Sequence, residues 1–251
     1  MVLVKGVGTV NQNYARSSLV VIALIFRTAF FAITGLIFAF YFSIFGSENP
    51  LEQASVWWTY QVILVGILTF IFVMFLLKRE GIKYLEFISF QKERVVKDLG
   101  LGLGLGVLSA LVGGIGLYGS AFIIYGGMPP ETMIQPLPIW AVFIALFLMP
   151  VSVAAVETPL YLGYASPRLQ VMLKSKWSAL FIVSFAFAFQ HISLPLLFDY
   201  QFMLWRVFSY LPLALMLAVI FFSNKRLFPI MIAHFLLDLQ AIITILIISL
   251  T

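Results

Sequence analysis

The feature that most constrains this chain is a series of long apolar runs separated by short polar segments. A helix that crosses a bilayer needs about 20 mostly apolar residues. Seven runs approach or exceed that length: Ser18–Phe45, Trp57–Leu77, Leu99–Tyr125, Leu137–Ala165, Trp177–Ile192, Phe202–Phe222 and Pro229–Leu250. The fourth run is long and the fifth is short, and a short run can also be re-entrant. The pattern predicts an all-α, polytopic transmembrane helical bundle of seven or eight spans.

Composition excludes the main soluble classes. Hydrophobic residues make up 63% of the 251 residues and charged residues only 10%, whereas soluble domains carry about 25% charged residues. Such a chain cannot cover a globular surface with polar groups, so a cytosolic globular enzyme and a disordered chain are excluded. The absence of cysteine excludes a secreted disulfide scaffold.

The positive charges predict the orientation in the membrane. All but two of the 15 Lys and Arg residues lie before the first run or in alternate loops: Lys5, Arg16, Lys78, Arg79, Lys83, Lys92, Arg94, Lys97, Arg168, Lys174, Lys176, Lys225 and Arg226. The charged residues of the other loops are all acidic: Glu48, Glu52, Glu131 and Asp199. By the positive-inside rule the N-terminus is cytoplasmic and, with seven spans, the C-terminus is outside. The net charge of +5 therefore reports orientation, and no nucleic-acid partner is expected.

The sequence predicts a multi-pass protein located in the cell membrane. The absence of cysteine and the short loops favour a prokaryotic plasma membrane. Between Lys78 and Asp98 lies the one sizeable polar stretch, where apolar residues among charges predict a helix lying in the cytoplasmic interface.

Ionisable residues inside apolar runs are costly, so each is a candidate functional residue. Arg206 lies near a helix start and is expected to extend its charge to the outer interface. Arg27 lies deeper and is expected to pair with a carbonyl or a carboxylate. The remaining four are Glu157, His191, His234 and Asp238, which include both histidines of the chain.

These four side chains permit several chemistries. His234 and Asp238 are four residues apart and share one helical face. A glutamate beside a histidine can deprotonate water for attack on a carbonyl, and the second histidine with its aspartate can stabilise an oxyanion or help to hold a metal. All four together would satisfy the preference of zinc for nitrogen and oxygen ligands. The same residues can also form the proton relay of a transporter.

Three local motifs resemble those of the CPBP family (CAAX-protease and bacteriocin-processing, also called Abi). The segment from Glu157 to Tyr164, Glu-Thr-Pro-Leu-Tyr-Leu-Gly-Tyr, resembles the first motif, Glu-Glu-x-x-x-Arg. Phe187-Ala-Phe-Gln-His191 is similar to the second, Phe-x-x-x-His. The segment from Arg226 to Asp238 is similar to the third, His-x-x-x-Asn/Asp, with its lead-in. Order and spacing fit, and the resemblance extends over residues 137–250.

The resemblance implies an intramembrane endopeptidase that acts on a membrane-embedded or lipidated protein or peptide. Glu157 and His191 would then activate the hydrolytic water, with access from the cytoplasmic side, and His234 and Asp238 would bind the oxyanion. If a divalent metal such as zinc is used, the same four residues would be its ligands. Residues 99–251 would form the family core, preceded in residues 1–98 by two transmembrane helices and the basic interfacial segment. A prenylated substrate is less expected in a prokaryotic chain.

Two departures from the first motif leave alternatives open. Thr158 stands where the family has its second glutamate, and Leu162 stands where it has arginine. Arg27 is a candidate to supply the missing positive charge from the first helix. The alternatives are a non-catalytic immunity or scaffold protein on the same fold, and a proton-coupled transporter.

Small residues recur along the third run. Gly100, Gly102, Gly104, Gly106, Ala110 and Gly114 follow small-x-x-x-small spacings. This pattern predicts close packing of helix backbones, with a flexible lateral gate for substrate as the alternative.

Overall fold

Helices account for most of the residues that the structure describes. The computed structural model describes residues 2–4, 8–10, 18–131 and 134–251. Its elements, in chain order, are a hairpin of β1 (Val2–Val4) and β2 (Gly8–Val10), then α1 (Ser18–Ile44), α2 (Pro50–Val56), α3 (Trp58–Glu80), α4 (Tyr84–Phe87), a 3₁₀ turn (Lys92–Arg94), α5 (Val95–Tyr125), α6 (Ile139–Ala154), a π-helix (Pro159–Ala165), α7 (Ser166–Leu173), α8 (Lys176–Phe189), a second 3₁₀ turn (Gln190–Ser193), α9 (Tyr200–Asn224) and α10 (Phe228–Leu250).

The predicted membrane bundle is confirmed. Within the described ranges, six helical segments are long and apolar enough to cross a membrane, two of them made of successive elements: Ser18–Ile44, Trp58–Glu80, Tyr84–Tyr125, Ile139–Leu173, Tyr200–Asn224 and Phe228–Leu250. Large apolar side chains such as Phe40, Ile115 and Phe147 are more than half exposed on the outside of the bundle, as expected for a surface that faces lipid.

The predicted span at Trp177–Ile192 is shorter than these six. It corresponds to the 14 residues of α8 followed by the 3₁₀ turn at Gln190–Ser193. Lys176 lies over the Phe222 ring at 5.5 Å, and the Leu194 carbonyl accepts from Arg206 at 2.9 Å. This segment therefore runs antiparallel to α9 along most of its length and passes between the two ends of the bundle.

The loops with positive charge lie together at one end. Arg168 pairs with Glu80 and Arg226 pairs with Asp98, which joins three of these loops. The acidic loops line one surface depression at the opposite end, together with the start of α9. Lys5 and Arg16, which the orientation prediction also used, lie outside the described residues.

The segment between α3 and α5 is not the single interfacial helix that was predicted. It contains one helical turn, Tyr84–Phe87, and one 3₁₀ turn, Lys92–Arg94. Ile88 is buried, and Phe87 and Phe90 pack against the main core. The apolar residues of this segment therefore attach it to the bundle, and only Leu85 remains largely exposed.

The glycines of α5 divide into two groups. A Cβ atom at Gly102 would lie 2.6 Å from the Ile232 side chain, and one at Gly106 would lie 2.8 Å from Leu236. A Cβ at Gly116 would collide with the carbonyl oxygen of Ser209 on α9. The predicted close packing is thus present at Gly102 and Gly106, and Gly116 adds a close approach that was not predicted. A Cβ at Gly113 would make only an ordinary contact, 3.9 Å from Leu213, and it would meet open space at Gly100, Gly104, Gly114 and Gly119.

We expect Gly116→Ala to destabilise the bundle and Gly119→Ala to be neutral or slightly stabilising. The atom that a Cβ at Gly116 would meet belongs to the backbone, so α5 and α9 must separate, at a cost of about 1–3 kcal/mol. At Gly119 there is no such contact, and alanine is the better helix former. Thermal unfolding of both variants in detergent measures the difference, and equal midpoints would contradict the packing role.

Candidate active site

Glu157 lies at an irregular point between α6 and the π-helix. Pro159 has no N–H, so the Ala155 carbonyl lacks the partner that a regular helix would provide four residues later. The Tyr84 hydroxyl donates to this carbonyl at 2.5 Å. The segment at the basic end thereby supports the helix break beside Glu157. Short π-helical segments of this kind are frequent at functional sites.

Arg27 of α1 holds the Glu157 carboxylate. Its Nη2 atom donates to Glu157 Oε2 at 2.6 Å, and its Nε donates to Gln190 Oε1 at 2.6 Å. Nη1 lies 3.4 Å from the Thr69 hydroxyl. Arg27 and Glu157 are both buried, and the expectation that Arg27 pairs with a carboxylate is confirmed. The positive charge lost at Leu162, which is buried in the core, is thus present beside Glu157.

His234 lies between the two acidic side chains. Its Nε2 atom is 3.7 Å from Glu157 Oε1 and 3.7 Å from Asp238 Oδ2. These separations are too long for direct hydrogen bonds, and a water can bond to both ends of such a gap. Nδ1 of His234 lies 3.0 Å from the Thr158 hydroxyl. With its hydrogen on Nε2, facing two carboxyl groups, His234 accepts from Thr158 at Nδ1.

Asp238 leaves one oxygen without a partner. Its Oδ2 is buried and makes no hydrogen bond with any described residue. A buried acceptor of this kind is costly unless a ligand or water occupies it. Asp238 therefore has a free acceptor at the cavity that it lines with Glu157 and His234.

His191 is separate from the other three residues. Its Nδ1 lies 3.1 Å from the Ala188 carbonyl, which can only accept, so Nδ1 carries the hydrogen and Nε2 is the acceptor of the neutral ring. The ring stacks on Tyr210 with 3.6 Å between centroids. His191 lines the same cavity as Glu157, His234 and Asp238, but the hydrogen bonds and ion pairs of the described residues do not join it to them.

The cavity that unites the four residues has a volume of about 520 Å³. Besides the polar groups its wall is mainly apolar, with Val62, Met149, Leu213 and Leu217 among the lining residues. It extends toward the acidic end of the bundle, where Trp58 and Ile134 belong to its wall. The cavity thus has space for a ligand next to the ionisable groups.

The side chains do not form the predicted metal site. In the part of the chain that the structure describes, no three His, Asp or Glu side chains are grouped so that they can hold a metal ion. Glu157 gives one oxygen to Arg27, and His191 stands apart on Tyr210. As arranged here, these side chains do not fit a bound metal ion.

Sequence reasoning missed several residues of the site. Gln190 and Thr69 orient Arg27, and Thr158 supports His234. Each is a polar residue inside an apolar run, which is the signal that could have found them. The expected extension of Arg206 to the outer interface is wrong, because its side chain is buried inside the bundle and lines the cavity.

We expect Thr158→Val to reduce the activity of the site about 10-fold and Thr158→Ser to retain most of it. Valine has a similar shape but cannot donate to Nδ1 of His234, so the imidazole loses the bond that orients it. The initial rate of the reaction at this site and the thermal unfolding midpoint should be measured for both variants. A Thr158→Val protein with full activity would exclude this orienting role.

Comparison with known proteins agrees with the motif resemblance. A family model described as type II CAAX prenyl endopeptidase Rce1-like matches residues 136–240. This segment is therefore similar to the CAAX protease family. It contains Glu157, His191, His234 and Asp238, and it covers less than half of the chain. Arg27 and Thr69 come from helices outside the Rce1-like segment. The chain has no significant match among curated proteins or among solved structures.

Proposed function

We propose that this protein is an intramembrane endopeptidase of the CAAX-protease type. The observation that carries the proposal is the Glu157 carboxylate, which has one oxygen held by Arg27 and the other facing His234 across a 3.7 Å gap in the shared cavity. A carboxylate held in this way can act as a general base toward a bound water. The Rce1-like match supports a peptide bond as the bond that is hydrolysed.

In the proposed reaction Glu157 Oε1 takes a proton from water, and the hydroxide attacks the carbonyl carbon of the substrate. The oxyanion receives a hydrogen bond from Nε2 of His234, and collapse of the tetrahedral intermediate breaks the C–N bond. The proton on Glu157 passes to the leaving amine. Nε2 of His191 accepts a hydrogen bond from the second O–H of the water and keeps no proton from it.

Asp238 has a different part in this scheme. An ionised carboxylate would oppose an oxyanion, so we assign its unpartnered Oδ2 to the N–H of the substrate backbone. This bond would align the scissile peptide against Glu157 and use an acceptor that the protein itself leaves open.

We propose a membrane-attached peptide as substrate, with a prenylated peptide as the first to be examined. The sequence alone favoured other lipidated or embedded peptides, whereas the family matched here is described by prenyl substrates. The mainly apolar wall of the cavity suits aliphatic side chains or an isoprenoid chain. We also propose that the basic end of the bundle faces the cytoplasm.

Cleavage in liposomes tests this function. Purified wild-type protein is mixed with a farnesylated peptide and with its unprenylated form, with added zinc and with a chelator, and products are identified by mass spectrometry. We expect cleavage by wild type and by the exposed-loop control Glu131→Ala, and a loss of at least about 100-fold in His191→Ala.

The absence of cleavage by folded wild type in every arm would overturn the proposal and favour a non-catalytic scaffold. Proton-driven flux of a solute without proteolysis would favour a transporter. Cleavage abolished by the chelator and restored by zinc would require a metal-dependent mechanism in place of the one above.

A further inference from the structure

Arg206 is a buried cation that the proposed reaction does not use. It lies in the second turn of α9 and its residue surface is 1% exposed. Its Nε donates to the Leu194 carbonyl at 2.9 Å and its Nη1 donates to the Tyr210 hydroxyl at 3.2 Å. Both acceptors are neutral, so the charge of Arg206 is hydrogen-bonded without being balanced.

The other deeply buried arginines are balanced by acidic groups. Arg27 pairs with Glu157 and Arg168 pairs with Glu80. No carboxylate among the described residues lies within ion-pair distance of Arg206, which instead faces the rings of Trp205 and Tyr210 at 5.6 and 4.8 Å. An isolated buried charge is expensive, and a site of this kind gains most from an anionic partner.

The position of Arg206 shows where that partner would lie. Arg206 lines the same cavity as Glu157 and the two histidines. One face of the Tyr210 ring stacks on His191 with 3.6 Å between centroids, and the Arg206 guanidinium is 4.8 Å from the centroid of that same ring. Arg206 is therefore a near neighbour of His191 in the wall of the cavity, on the side of the acidic end of the bundle.

We propose that Arg206 binds the free C-terminal carboxylate of the peptide substrate. The proposal deepens the proposed function and rests on it for the identity of the peptide. A carboxylate in the cavity would balance the buried charge and accept hydrogen bonds from the guanidinium. With the C-terminus held there, the bond presented to Glu157 would be a fixed, short distance from the chain end. A phosphate of a lipid head group has related chemistry, but a cation inside the peptide cavity favours the carboxylate.

Binding measurements test this without requiring cleavage. The probe is a fluorescent farnesylated peptide, made once with a free C-terminal carboxylate and once with a C-terminal amide. Its affinity is measured by anisotropy in a phosphate-free maltoside detergent, with full-length protein that carries Glu157→Gln. We expect the acid to bind about 10- to 100-fold more tightly than the amide.

Variants at Arg206 should remove this preference. Arg206→Gln is expected to bind the acid and the amide equally, at the affinity that the amide has for the parent protein. Retained amide affinity also shows that the cavity is still folded. Arg206→Lys should keep part of the preference, and the control Arg79→Gln, which removes an exposed positive charge, should keep all of it.

Equal affinities for acid and amide in the parent protein would overturn the proposal, as would a preference that persists in Arg206→Gln or no binding of either peptide. Competition by added phosphatidic acid that depends on Arg206, without an acid preference, would assign the cation to a lipid phosphate and also overturn it. Cleavage without a C-terminal preference leaves the protease function standing and removes only the role of Arg206. An Arg206-dependent preference for the acid without any cleavage would support the role of Arg206 and overturn the protease function.

Discussion

Replacing Glu157 by glutamine is expected to lower the rate of peptide cleavage by about 10²- to 10⁴-fold, the usual contribution of a general base. The amide oxygen of glutamine can still accept the bond that Arg27 now donates to Oε2 at 2.6 Å. The side chain keeps its size, so the cavity should retain its shape and its affinity for substrate. The loss should therefore appear in kcat and leave KM nearly unchanged.

Single-turnover cleavage of a saturating prenylated peptide gives the rate, and anisotropy gives the affinity of the uncleaved peptide. Glu131→Gln, an exposed change of the same chemistry, is the matched control and should be fully active. An active Glu157→Gln protein would exclude Glu157 as the base. A variant that loses binding along with the rate would indicate a structural role instead.

Replacing Arg27 by leucine is expected to cost about 3–5 kcal/mol of stability and to abolish activity. The substitution leaves the Glu157 carboxylate buried without its cation, and breaking a buried pair by removing one partner is strongly destabilising. It also frees Gln190 Oε1, which Arg27 now contacts at 2.6 Å. The thermal unfolding midpoint in detergent and the cleavage rate measure the two effects.

A second substitution separates the ion pair from other roles of Arg27. If the cost arises from the unpaired carboxylate, the double variant Arg27→Leu/Glu157→Leu should recover most of the stability and none of the activity. Arg79→Leu, at an exposed position, controls for the loss of an arginine. An Arg27→Leu protein with unchanged stability and activity would contradict the assignment of Arg27 as the positioning residue of Glu157.

The four candidate site residues could be predicted from sequence because ionisable groups are rare in apolar runs. Glu157, His191, His234 and Asp238 were identified on this ground and by the three motifs, and all four line one cavity. Their mutual contacts could not be predicted. The structure leaves His191 on Tyr210, apart from the other three.

The long helices of the fold could be predicted from sequence, but their irregularities and contacts could not. Apolar length alone identified the long helices, but it could not show that the fourth run contains a break and a π-helix. That break depends on a proline and on a tyrosine 71 positions away from the carbonyl that its hydroxyl satisfies. Apolar length also could not show that Ile88 attaches the basic segment to the core.

The sequence by itself determined that the chain lies in a lipid bilayer, in which order its helices follow one another and which residue types are available for chemistry. These follow from local properties: the length of an apolar run, the sign of the charge on a loop and the spacing of residues in a motif. Only the tertiary structure decided that Arg27 neutralises Glu157, that Thr158 supports His234 and that Arg206 lines the cavity without a carboxylate partner among the described residues. The reason is that spacing along a helix sets the depth of a side chain, whereas packing between helices decides which side chains meet.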